Sequence, residues 1–219
     1  MRGNLGVKTD IAACVLMRKE ILRRVAITFI FISAFIVRIW SLDTPFLEPF
    51  NSLARQTICA QVARNFYERG FNLFYPEIDI NGAGPSLYNA EMPFYSWFMA
   101  LGYALAGGVK HWVARSVTVF FSSLFLIYLY RIAREEYGRR VAVYALVIAS
   151  FSPLSIALSR SIQPDMTMLA LMTGAVYWGR RYASGGTLLH LAASAAMLFF
   201  AAATKIFAYM VLPAIFFLF

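Results

Sequence analysis

The sequence predicts an all-α fold, a polytopic transmembrane helical protein with a long outer-face loop containing amphipathic interfacial helices. Three observations carry that prediction. Apolar residues make up 60% of the chain and charged residues 14%, with a mean hydropathy of +0.64, whereas soluble domains carry roughly 45–50% and about 25%. The basic residues gather at the ends of apolar runs (Arg18, Lys19, Arg23, Arg24; Arg131, Arg134, Arg139, Arg140; Arg180, Arg181), as in segments retained on the cytoplasmic side of a membrane. One long polar interval, 43–93, interrupts the apolar pattern and holds Asp43, Glu48, Glu68, Glu77, Asp79 and Glu91, six of the eleven acidic residues. The clustering also explains the net charge of +9 as a topology signal, so no nucleic-acid partner is expected.

Residues 1–24 read as a cytoplasmic basic lead-in. IAACVLM is a short apolar run that passes directly into RKEILRR with no small-residue cleavage site. Residues 25–219 then form the membrane domain, with the outer loop 43–111 inside it. The first span is 25–42; a crossing takes about 20 residues, so the turn at 21–24 contributes. Arg38 and Trp40 fall near its far end, where an arginine snorkels and an indole favours the interface. In the loop, 52–70 has the pattern of a helix lying along the surface: Ile58, Val62 and Phe66 step by four, Ser52 is a cap and Gly70 a stop. The stretch NLFYPEIDINGAGPS is extended and rich in turns.

The run 93–108 decides the topology. It is short for a crossing, and a crossing there would place Arg131–Arg140 outside; an interfacial or re-entrant helix keeps that cluster inside. The spans 112–130, 141–159, 166–178 and 187–204 follow, and 206–219 starts inward. This arrangement puts Asp165, Lys205 and the acidic loop on one face. The chain ends inside the apolar run AIFFLF, where a terminal carboxylate would sit in hydrocarbon, which suggests truncation. Cys14 and Cys59 have no metal-type spacing and read as ordinary small residues.

Carboxylates and cations together at an outer membrane boundary suit a reaction on a lipid-linked phosphate. A carboxylate acts as general base on a hydroxyl or holds a divalent metal, and Arg or Lys neutralises a departing phosphate. Most acidic residues in such a loop are simply solvated. Asp165 stands apart, because an ionisable group at a membrane boundary is a functional candidate, although it also suits the cap of the next helix.

The ordered set AFIVRIWSL, RQTICAQVARNFY, FYPEIDING, NAEMPFYSW, SPLSIALSRSIQPDM and AAATKI resembles the N-terminal part of the GT-C polytopic glycosyltransferases, in the branch of protein mannosyltransferases and aminoarabinose transferases. The resemblance runs from about residue 25 to the end. It implies transfer of a sugar from a polyprenyl-phosphate donor to a lipid or glycan acceptor, on the outer face of a bacterial inner membrane with the N-terminus cytoplasmic. It casts Asp165 as the acidic residue after the third helix, Glu91 as the acid of an E-x-P motif touching metal or substrate, and Lys205 as a lysine common in the family. Where mannosyl- and aminoarabinose transferases carry Asp-Glu, this chain has Arg55-Gln56, and Met92 stands in place of a phosphate-binding lysine. Glu48 is the nearest upstream carboxylate to substitute. The expected set is therefore Asp165 and Glu48 as acid/base or orienting groups, Arg55, Gln56, Arg160 and Lys205 for the substrate, and Glu91 for a divalent metal ion if one is used. The alternative is an inactive fragment or a non-enzymatic membrane assembly protein.

Overall fold

A computed structural model of the protein describes residues 3–40, 42–43, 53–79, 86–88 and 91–213, with side chains from residue 17 onward. The helices are α1 (Gly3–Ile39), α2 (Leu53–Arg69), α3 (Phe94–Ala106), α4 (His111–Phe151), α5 (Pro153–Arg160), α6 (Asp165–Ala183) and α7 (Leu188–Thr204), followed by a 3-10 turn at Ile206–Val211. Among the described residues, strand occurs in the turn-rich stretch, where β1 (Glu77–Ile78) pairs antiparallel with β2 (Ser86–Leu87).

The basic lead-in and the first apolar run are a single helix, α1, rather than two segments. Helix α4 is two helices joined at Gly138, whose φ of 80° and ψ of 174° lie in a region open essentially to glycine alone. The first half therefore runs through REEY to residue 137, seven residues beyond the expected span. The expected span 141–159 is likewise divided. Its helix stops at Phe151 and restarts as α5 at Pro153, because proline has no N–H to offer the carbonyl of Ala149.

That break corrects the reading of Arg38. Its side chain does not snorkel; it is fully buried. Nε donates to Ser122 Oγ (2.9 Å), Nη1 to the carbonyls of Ala34 (2.9 Å) and Ser150 (3.0 Å), and Nη2 to the Ala149 carbonyl (3.5 Å) and Ser155 Oγ (3.0 Å). The guanidinium thus supplies donors to carbonyls beside the break at Pro153 and ties α1, α4 and α5 together.

Charges sort the two ends of the bundle. At one end Arg139 pairs with Glu20 at 2.5 Å, Arg181 with Glu135 at 2.9 Å, and Arg180 with Glu136. The basic lead-in, REEYGRR and GRRYASGG therefore meet at one end, as charge and length predicted. At the opposite, loop end, Arg115 donates to the Leu42 carbonyl (2.7 Å) and Arg160 to that of Trp40 (2.8 Å). Between the ends, α6 and α7 form an antiparallel hairpin packed through small residues. A Cβ on Gly174 would meet Met197 Sδ at 2.5 Å, and one on Gly179 would meet Ser194 Oγ at 3.2 Å; close approach through small residues is how helices pack in membranes.

Among the described helices, α4 is long and apolar enough to cross a membrane by length and composition. Large apolar side chains stand exposed along α1 (Phe29, Ile32, Ile36), α4 (Phe120, Ile148) and α7 (Leu188, Phe199), surface that water does not favour and lipid does. Helix α3, at 13 residues, is about 20 Å long, shorter than the roughly 30 Å hydrocarbon core of a bilayer. It folds back along the start of α4, with Tyr95, Met99 and Tyr103 buried against Val113, Ala114 and Ile162.

Candidate functional site

Four ionisable side chains far apart in sequence meet at the loop end. Asp165 opens α6 and Lys205 closes α7, so the hairpin returns the lysine to its own start: Lys205 Nζ lies 2.6 Å from Asp165 Oδ1. Helix lengths make this meeting possible. Nineteen residues in α6 and seventeen in α7 give about 28 and about 26 Å, nearly equal arms. The cap expected of Asp165 is not formed. Pro164 occupies the N-cap position, no side chain caps the helix, and the Asp165 carboxylate goes to Lys205 instead. Its place in the first turn still suits a negative charge, which the helix dipole favours there.

The second pair joins α2 to the segment before α3. Arg55 Nη2 lies 2.5 Å from each oxygen of Glu91. The two pairs adjoin: the Met92 N–H donates to the Ala203 carbonyl at 3.2 Å, Phe94 stacks on Phe200 with ring centres 4.6 Å apart, and Arg55 feels the charge of Asp165 as well as that of Glu91. For Arg55, burial pushes the guanidinium down, and the Glu91 hydrogen bond with both carboxylate charges more than restores it. Arg55 Nε is buried with no acceptor among the described residues, so this cation has an unspent donor.

The structure brings Arg55, Gln56, Glu91, Asp165 and Lys205 together, and Arg160 does not join them. Gln56 is buried, and its Oε1 accepts from the Ile162 N–H at 3.2 Å, fixing the turn that leads into Asp165. Arg160 faces α1 through its bond to Trp40. Glu48 lies outside the described residues, as do the Ser52 cap and the run 214–219. Behind the pairs, Tyr95 Oη and Thr118 Oγ1 lie 2.6 Å apart, and Thr118 Oγ1 donates to the Ser161 carbonyl at 3.0 Å. This chain fixes α3 and α4 to the turn before α6.

The space around the pairs is small. A pocket of about 20 Å³ lined by Cys59, Tyr88, Glu91, Pro164 and Thr204 has room for one water. Among the described residues no three His, Cys, Asp or Glu side chains converge, and both carboxylates already hold a cation. That is the donor set of two ion pairs, and a metal ion at Glu91 would have to replace Arg55.

Cys59, read from the sequence as an ordinary small residue, forms a wall of this pocket from α2. Its i+4 relation to Arg55 on a helix was the available signal. Burial pushes the Cys59 thiol up to about 12. In a Cys14→Ser background, alkylation of Cys59 at pH 8 should therefore run about 10³-fold slower than that of an ordinary thiol, rising about tenfold per pH unit as the thiolate fraction grows. A rate equal to that of a free thiol would contradict the closed packing.

A mostly helical chain with exposed apolar flanks and two adjoining ion pairs at one end of the bundle has the character of a GT-C-type membrane glycosyltransferase. The comparison with protein families agrees: the chain belongs to the dolichyl-phosphate-mannose-protein mannosyltransferase family, whose model matches residues 90–219, more than half of the chain. Glu91, Asp165 and Lys205 fall within the match, and Arg55 lies before it. Neither a curated protein nor a solved structure matches the chain.

Proposed function

We propose that this polytopic membrane protein transfers a sugar from a polyprenyl-phosphate donor to a hydroxyl of a lipid or glycan acceptor, at the outer face of the membrane, with inversion at the anomeric carbon. The observation that carries the reading is the pair of cations, Lys205 and Arg55, each held by a carboxylate at the loop end of a family-matched bundle. The phosphate of the donor is a competing anion for both. Its arrival draws Lys205 from Asp165 and Arg55 from Glu91, with the buried Nε of Arg55 adding a further donor. Asp165, released, takes the proton of the acceptor hydroxyl. The acceptor oxygen attacks the anomeric carbon from the face opposite the phosphate. The bond from that carbon to the phosphate oxygen breaks, and its electron pair leaves with the polyprenyl phosphate, whose added charge Lys205 and Arg55 neutralise. Glu91 orients the substrate or its metal, Glu48 is the second acid/base or orienting group, and Gln56 holds the turn before Asp165.

Transfer of radiolabelled sugar from a panel of polyprenyl-phosphate donors to membrane acceptors tests the reading. Lys205→Gln and Arg55→Gln are expected to raise the donor KM by about ten- to a hundredfold each, the loss of a charge-assisted contact of about 1.5–3 kcal/mol. Donor KM values unchanged in both variants would sink the phosphate assignment.

A further inference from the structure

A polar-rimmed cavity lies at the opposite end from the ion pairs, between α1 and the second half of α4. It has a volume of about 530 Å³ and is lined by Arg23, Ala26, Ile27, Ile30, Arg139, Arg140, Val143 and Tyr144. The two helices run parallel here, since Glu20 meets Arg139 at this end and Arg38 meets Ser150 at the other. Each steps from arginine to an apolar residue one turn on, Arg23 to Ile27 and Arg139 to Val143. The groove thus has a cationic mouth and an apolar floor continuing to Ile30, about 10 Å deeper.

The charges at the mouth are unequal. Glu20 is the acidic partner there, and it is spent on Arg139 at 2.5 Å and on Arg24 at 3.3 Å. Arg23 and Arg140 are exposed and have no acidic partner among the described residues. A free phosphate would satisfy the mouth and leave the apolar floor uncovered. A neutral or zwitterionic lipid would cover the floor and leave the arginines with a weak partner. A lipid whose headgroup carries net negative charge fits both, and basic pockets between membrane helices bind such headgroups.

We propose that the groove between α1 and the second half of α4 binds one anionic membrane phospholipid, its phosphate on Arg23 and Arg140 and its acyl chain along Ala26, Ile27, Ile30 and Val143. The lipid fills the groove between two helices that are joined at its mouth by the Glu20–Arg139 pair and beneath it by the packing of Ile27, Ile30 and Val143 against a shared apolar core. It is a site separate from the ion pairs at the loop end, and it stands whether or not those pairs carry out sugar transfer.

The test is native mass spectrometry of the protein released from nanodiscs of equal phosphatidylglycerol and phosphatidylcholine. One retained phosphatidylglycerol is expected, at least tenfold over phosphatidylcholine. Arg23→Gln combined with Arg140→Gln should reduce its occupancy at least tenfold. Ala26→Trp, which fills the groove and keeps every charge, should do the same. Excess glycerol 1-phosphate should leave the lipid in place. Equal retention of the two lipids by the unmodified protein would overturn the proposal without recourse to any variant. Retention by the double variant would overturn it too, and displacement by glycerol 1-phosphate would reduce the site to an ion site.

Discussion

Asp165→Asn is expected to lower kcat for sugar transfer by about 10²–10⁴-fold, the range of a positioned general base, with the donor KM changed by less than about threefold. Asparagine keeps the shape of the side chain and one oxygen to accept from Lys205 Nζ, which now lies 2.6 Å away. It cannot take a proton from the acceptor. The phosphate cations Lys205 and Arg55 are untouched, so donor binding should survive while turnover does not. Initial rates across a range of donor concentrations separate the two effects. A variant with full kcat would remove Asp165 from the chemistry and leave it as the anchor of Lys205.

Arg38→Leu is expected to be the most destabilising single change in the bundle, by about 2–4 kcal/mol. Five hydrogen bonds from one buried guanidinium disappear. The Ala149 and Ser150 carbonyls beside the break at Pro153 then lose this donor in surroundings where water does not replace it. Each buried group left unpaired costs about 1–3 kcal/mol. Removing a buried charge returns some of that, less for a weakly hydrated guanidinium than for an ammonium. Arg38→Lys should fall between, since a single ammonium cannot reach acceptors on α1, α4 and α5 together. Unfolding midpoints in mild detergent check the order: unmodified protein highest, lysine next, leucine lowest. Equal midpoints would show that α1 is held to α5 without this residue.

Much of this arrangement was legible in the sequence. Charge placement and segment length alone brought the three basic clusters to one end and set Asp165 and Lys205 at the other. The short run before α4 was readable as a short helix, and the 13 residues of α3 are fewer than the about 20 that a crossing takes. Other features leave no trace in composition. An arginine near the end of an apolar run reads the same whether it snorkels or turns inward. Arg38 turns inward because Pro153, 115 residues later, creates the demand for its donors. Glycine at 138 ends one helix and starts the next within a single residue, so the basic run REEYGRR reads as a loop where the chain is helical on both sides. The pairing of Arg55 with Glu91 depends on α2 lying against α3, which spacing does not encode. Gln56 and Arg160 looked alike as polar residues near the site, yet one braces the turn before Asp165 and the other holds the chain leaving α1.

The central claim is that a donor phosphate binds between Arg55 and Lys205, at the loop end of the bundle. The most direct measurement is photolabelling with a polyprenyl-phosphate analogue carrying a diazirine on the isoprene unit next to the phosphate, followed by peptide mapping. The account predicts crosslinks within 53–59, 88–96, 162–168 or 204–208, lost on competition with unlabelled donor. Competable crosslinks confined to 23–30 and 139–144, at the other end of the bundle, would contradict it.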